Sequence, residues 1–247
     1  MDRNDNLASQ ATQILAAADE HQIPVRLLGG VAVYLTCPST RQAPFAREIN
    51  DMDFIVTKRR SGEFGKLLTS LGYEGDHQFN SIHGETRLLF TSDLSDVDVF
   101  VGVFQQCHGL DLENVLTKLP TTIPLAQLLM TKLQIVEINR KDQLDALALV
   151  NDHDVVAGGG PGDIDLSVIV GLTSGDWGWY TTVTDNLDKL DATVDECFAD
   201  DQAARLHTRI DVMRTAIRNE PKSIKWKMRD KVGRRVPWYD LPEEKKL

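Results

Sequence analysis

Two six-residue stretches, "DMDFIV" at 51–56 and "DVDVFV" at 96–101, share one pattern: aspartate, apolar residue, aspartate, then three apolar residues. Each reads as a strand. Successive side chains of a strand point to opposite faces, so the two aspartates of a pair point the same way, roughly 7 Å apart at about 3.3 Å of rise per residue. A carboxylate inside an otherwise apolar strand is costly unless it is paired or binds a cation. Any fold adopted by this chain must bring something to these groups. Asp98, flanked by Val97 and Val99, is the sharpest case. The same spacing recurs at Asp152/Asp154 and Asp163/Asp165, but there it falls after a helical pattern and after a glycine run. Those aspartates read as loop residues, with Asp163 as a helix N-cap.

The chain has 247 residues, 42% of them hydrophobic, and a formal net charge of -10. That supports an ordinary globular core and argues against a protein that coats nucleic acid by bulk charge. Cys37, Cys107 and Cys197 are odd in number and far apart, unlike a disulfide framework or a thiolate metal site. The opening "MDRNDNLASQ" lacks the apolar segment of a signal peptide, and "LLGGVAVYL" is too short to span a bilayer. The expectation is a cytoplasmic protein with no membrane partner.

Along the chain, residues 7–20 carry helical spacing. "IPVRLLGG" reads as a strand ending in Gly29 and Gly30, with a helix starting at Gly30. An excursion loop follows to about residue 50. Ser61 is expected to cap a helix with Phe64, Leu67, Leu68 and Leu71 on one stripe, closed by Gly72. "TRLLFTS" and "DVDVFVG" read as strands, and from Pro124 the pattern is helical. The composition break at "AGGGPGD" places a domain boundary at 156/157, with a long helix expected to reach about Asn219. The last segment interleaves seven cations, from Lys222 to Arg235, with Trp226, Trp238 and Tyr239. It reads as an element packed back on its own acidic body, ahead of an RNA-binding surface.

If the strand holding Asp98 lies beside the strand holding Asp51 and Asp53, three carboxylates form a hard-oxygen cluster suited to Mg2+. Gly29 and Gly30, at a strand end opening a helix, can receive anionic oxygens on free backbone N–H groups. The order is strand, Gly-Gly, helix, loop, Asp-x-Asp strand, then an aspartate in a further strand. In this it resembles the nucleotidyltransferase superfamily with the DNA polymerase β fold, and within it the AbiEii-type predicted nucleotidyltransferases. The likeness spans roughly residues 10–150. Arg47 matches an arginine of the AbiEii-type pattern and Ile49 stands where threonine is usual, while Lys132, Lys141 and Asp142 echo its lysine helix and Lys-Asp pair.

The resemblance implies an α/β nucleotidyltransferase-like domain with a mixed sheet over 1–156 and a mainly α-helical domain over 157–247. It implies Asp51, Asp53 and Asp98 as catalytic metal ligands for Mg2+, two ions with the nucleoside triphosphate (NTP) bound. Gly29, Gly30, Arg47 and Lys132 would meet the nucleotide, with snorkelling to water as the rival reading of Lys132. The implied reaction moves a nucleoside monophosphate from an NTP, ATP included, to a hydroxyl of an acceptor that is a small molecule, protein or RNA. The alternatives are a defence-type enzyme acting on RNA or protein and a non-catalytic nucleotide-binding protein of the same fold.

Overall fold

The structure is a computed structural model and describes residues 2–241. The chain divides into two compact units. The first holds the residues up to Arg41 together with Ala46–Phe104 and Gly109–Pro124; the second holds Gln42–Phe45, Gln105–His108 and the chain from Leu125 on.

In the first unit, α1 (Arg3–Glu20) leads into β1 (Val25–Leu28), and α2 (Gly29–Thr36) follows with no intervening loop. After a 3-10 turn at Pro38–Arg41 come β2 (Asp51–Val56), α3 (Ser61–Ser70), β3 (Glu74–Gly75), α4 (His77–His83), β4 (Arg87–Thr91) and β5 (Asp96–Val101). Two short strands, β6 (Val103–Gln105) and β7 (Gly109–Asp111), pair with each other. The main sheet runs β1-β2-β5-β4-β3. It is mixed: β2 and β5 are parallel, and the other neighbours are antiparallel.

The register explains the alternation. Met52, Phe54 and Val56 pair with Val97, Val99 and Val101, so one face of β2 and β5 is wholly apolar and buried. On that face Phe54 meets Phe64 of α3 edge to face, 5.8 Å between ring centres. Leu67 and Leu68 are buried as expected, whereas Leu71 lies just past the helix end and is 45% exposed. Ser61 is the first residue of α3, and Arg60 holds the cap position assigned to it.

At two places the sheet's ladder is met by groups outside its strands. Beside β1, Leu27 N–H donates to the Thr121 carbonyl (2.9 Å), and Ile123 N–H donates to the Leu27 carbonyl (3.1 Å). Beyond the two-residue β3, the Asn80 amide grips β4: its Nδ2 donates to the Leu89 carbonyl (2.9 Å), and its Oδ1 accepts from Leu89 N–H (2.7 Å).

The second unit is mainly helical, with α5 (Leu125–Leu133), α6 (Arg140–Asp152), α7 (Leu166–Gly175), α8 (Trp177–Cys197), α9 (Asp200–Asn219) and α10 (Ile224–Val232). Its core is a helical stripe: Val183, Leu187, Leu190 and Val194 of α8 and Leu206, Ile210, Met213 and Ile217 of α9 are all fully buried. Each such side chain contributes about 1.5–3 kcal/mol of transfer free energy.

The boundary expected at 156/157 falls inside this unit. Residues 157–163 only connect β8 (Val155–Val156) to its parallel partner β9 (Ile164–Asp165). The helix before the glycines is tied to one after them, since Arg209 of α9 donates to the Val150 and Asn151 carbonyls at 2.7 and 2.8 Å. These end the α6 ladder as a C-cap would. Asp163 accepts from Gly160 N–H within the glycine turn, while Asp165 is the cap of α7 through Ser167 N–H (3.0 Å). The helix that reaches Asn219 starts only at Asp200, after a break at Phe198–Ala199, and the tryptophan segment before it belongs to α8, which Asp176 caps.

The basic segment folds back within its own unit. Trp226 donates to the Thr173 carbonyl (3.2 Å), Trp238 to Thr182 Oγ1 (3.3 Å), and Arg234 to both oxygens of Asp185 (2.7 and 2.8 Å).

Between α8 and α9, His207 lies between Asp191 (2.9 Å) and Asp195 (3.1 Å). The hydrogen bond to Asp191 raises its pKa above the ordinary histidine value, against a smaller effect of burial. His108 is the opposite case: burial, with its ring 5.0 Å from that of Trp179, lowers its pKa against the pull of Asp176 and Asp240. A histidine with a raised pKa stabilises fully below its unfolded value of about 6.5, and this is lost as pH rises through the folded value. The melting-temperature gap between the wild type and His207→Gln should therefore be widest near pH 6 and shrink as the pH is raised. A gap independent of pH would remove the charged histidine from the account.

Candidate functional site

The parallel register pairs Asp51 with Asp96 and Asp53 with Asp98. Registered partners share a face, so four aspartates lie on one side of the sheet, opposite the apolar face. Asp51 and Asp53 are half-buried and Asp96 is exposed, while Asp98 is only 4% exposed. Asp96 accepts from Thr91 Oγ1, its registered neighbour on β4, at 2.8 Å.

The cost of burying Asp98 is met by a residue that sequence reading passed over. Arg87, on the same face of β4, donates through Nε to Asp98 Oδ1 (2.7 Å) and through Nη2 to Oδ2. Arg87 sits two residues from Leu89, which pairs with Asp98, so the contact is the diagonal one open to a long side chain. Its guanidinium carbon also lies 5.1 Å from the ring centre of Phe100. A signal was present in "TRLLFTS", where strand alternation puts its one guanidinium on the face of Leu89 and Thr91.

Gly29 and Gly30 open α2 at the end of β1, next to β2. Gly29 has φ +67, and a β-carbon there would stand 1.8 Å from Asp53 Oδ2. At Gly30 it would stand 2.7 Å from Arg47 Nη2. The paired glycines thus let a carboxylate and a guanidinium lie directly on the first turn of a helix, where backbone N–H groups lack helical partners. The helix begins one residue earlier than expected, at Gly29. The backbone around Arg47 is held by Asn4, which donates to the Arg47 carbonyl (2.8 Å) and accepts from Ile49 N–H (3.0 Å). The guanidinium donates to the Glu48 carbonyl (3.1 Å), while the Glu48 carboxylate pairs with Arg3 (3.0 Å).

Six of the expected residues, Gly29, Gly30, Arg47, Asp51, Asp53 and Asp98, therefore belong to the first unit, and Lys132 belongs to the second. Lys132 does not snorkel. It is 8% exposed, and its ammonium bonds Asp142 Oδ1 (2.8 Å) and Asp145 Oδ2 (3.0 Å). Burial alone would lower its pKa, but Asp145 and Asp142 outweigh burial and hold it above the ordinary lysine value.

Asp51 and Asp53 offer two hard-oxygen donors on one strand face, the kind of donor Mg2+ takes. Asp98 already has both oxygens on Arg87. Among the described residues no group of three His, Cys, Asp or Glu side chains gathers as a metal site. The donor set thus suits Mg2+ at Asp51 and Asp53, with Asp98 engaged elsewhere. No helix among the described residues is long and apolar enough to cross a membrane.

No protein-family model matches the chain, and no curated protein matches it. Solved structures do. The solution structure of the antibiotic-resistance factor ANT(2'')-Ia is 15% identical and aligns over 59% of this chain and 83% of its own, with a TM-score of 0.41. The crystal structure of ANT(2'')-Ia with adenylyl-2''-tobramycin is 16% identical over 58% of this chain and 87% of its own, with a TM-score of 0.40. The crystal structure of an antigenic nucleotidyltransferase-like protein from Paracoccidioides brasiliensis is 15% identical over 89% of this chain and 95% of its own, with a TM-score of 0.45.

Two stability outcomes follow from these contacts. Gly29→Ala should lower the melting temperature, since the left-handed conformation costs an alanine about 1–2 kcal/mol before Asp53 is displaced. Gly62→Ala, where a β-carbon meets nothing within 4 Å, should not; equal effects of the two would contradict the close approach. Arg87→Met and Lys132→Met should each cost about 3–5 kcal/mol in denaturant unfolding, because each takes the cation from a buried carboxylate, Asp98 and Asp145 respectively. A loss under about 1 kcal/mol, the usual worth of an exposed pair, would refute the burial argument.

Proposed function

We propose that the chain is a Mg2+-dependent nucleotidyltransferase that moves a nucleoside monophosphate from an NTP to an acceptor hydroxyl. The observation that carries the reading is the stacking of Asp53 on Gly29 and of Arg47 on Gly30, with Asp51 on the same strand face as Asp53. Carboxylates, a guanidinium and the backbone N–H groups of a helix's first turn meet at one strand end, which is what a cation carrying a polyphosphate requires.

In this reading Asp51 and Asp53 would hold the cation, which when bound neutralises charge on the triphosphate and on the departing pyrophosphate. Gly29 and Gly30 receive phosphate oxygens on their N–H groups, and Arg47 clamps a second phosphate bidentately. The acceptor oxygen forms a bond to the α-phosphorus, the bond from that phosphorus to the bridging oxygen breaks, and pyrophosphate leaves. The hydroxyl proton passes to a carboxylate of the aspartate face. The nearer likeness to AbiEii-type enzymes rests on Arg47, Lys132 and Asp142.

A second reading, a nucleotide-binding protein of this architecture without turnover, is favoured by the Arg87 bonds to both oxygens of Asp98. One calorimetric titration of each NTP, with and without Mg2+, addresses both. Mg2+-dependent binding is expected in the wild type and lost in Asp51→Ala/Asp53→Ala. Binding without pyrophosphate release, over a panel of sugar, protein and RNA acceptors, would support the second reading, and no NTP binding at all would defeat both.

A further inference from the structure

The helix α10 is fixed on one side and bare on the other. Ser223 caps it by accepting from Trp226 N–H (3.1 Å). Trp226 is 9% exposed, and its ring stands edge to face with Tyr180 at 5.0 Å. Arg229 lies 4.5 Å over the Trp177 ring, and Asp230 accepts from the Trp177 indole N–H (2.7 Å).

At about 100° per residue, Trp226, Arg229 and Asp230 fill one half of the helix circumference. The other half carries Ile224, Met228 and Val232, 79%, 64% and 41% exposed, at i, i+4 and i+8. Lys225 borders this stripe on one side and Lys227 and Lys231 on the other, all three exposed. Three large aliphatic side chains in an unbroken exposed row mark a contact surface, unlike single apolar residues scattered over a protein.

We propose that this face is a docking surface for an anionic lipid layer. The aliphatic stripe enters the headgroup boundary, and the three lysines meet lipid phosphates while their methylene stems stay apolar. Charge selects the occupant. On a chain of net charge -10, this row is bordered by cations on both sides, so what covers it is apolar and negatively charged together. A second copy docking face to face would oppose lysines to lysines. RNA is disfavoured because the aromatic Trp226 turns inward and the outward side chains are aliphatic, leaving bases no ring to stack on. Lying against a bilayer needs no membrane-crossing helix, and the proposal is independent of the reading of the aspartate face.

The test is flotation of the full-length protein with vesicles of equimolar phosphatidylglycerol and phosphatidylcholine, and with phosphatidylcholine alone. Wild-type protein should float with the anionic vesicles at low salt, and at least tenfold less with the neutral ones. Ile224→Ser/Met228→Ser and Lys225→Glu/Lys227→Glu/Lys231→Glu should each reduce flotation to background, with melting temperatures unchanged because every altered side chain is exposed. No flotation of the wild type, or equal flotation of the serine variant, overturns the proposal. So does retention of the protein by polyuridylate or polyglutamate in place of vesicles, which would assign the face to RNA or to an acidic protein respectively.

Discussion

A negative charge in the interior of a sheet has to be answered from a neighbouring strand, and here Arg87 answers Asp98. The pair fixes more than itself. A slip of β4 by one residue would turn Arg87 to the apolar face and leave Asp98 without its cation. Such a loss, about 3–5 kcal/mol, is a large share of the roughly 5–15 kcal/mol that holds a domain together. The same register sets Thr91 opposite Asp96, and the parallel alignment of β2 carries Asp53 to the level of Asp98. The aspartate face is thus a consequence of strand alignment, and one ion pair penalises its misalignment.

Much of the first unit was legible because its strands alternate cleanly. "DMDFIV" and "DVDVFV" announced their own faces, whereas their adjacency was only the condition for a carboxylate cluster and is supplied by the parallel register. The partner of Asp98 was harder to see because an arginine at a strand end looks like any solvated residue until the register is known. The placement of Gly29, Gly30, Asp51 and Asp53 was legible, because backbone freedom and charge are tied there to single residues. It was not legible at Lys132, because helical spacing shows that the lysine is on the buried stripe but not that Asp142 and Asp145 come from α6 to meet it.

The domain boundary shows the opposite failure. "AGGGPGD" has the composition of a linker, yet it is a turn between two strands of one unit. Composition reports local backbone freedom, whereas a boundary depends on which helices pack together, and Arg209 at the end of α6 is a contact across 59 residues of chain. Leu71 and Ser61 illustrate the smaller version: periodicity places a helix well and its last turn poorly.

The treatment of the sheet's two margins has a further effect. A strand margin normally offers a ladder of unsatisfied N–H and C=O groups that any extended peptide can join. Beside β1 the segment at Thr121–Ile123 already takes up Leu27, and on β4, past the end of the short β3, the Asn80 amide acts as a counterfeit strand residue against Leu89. A side chain is a sound stopper because it satisfies one donor and one acceptor and then ends, presenting no further rung. At Leu27 and at Leu89 the outward donor and acceptor are already taken by the protein's own groups, so an extended peptide would find no open rung at those two residues.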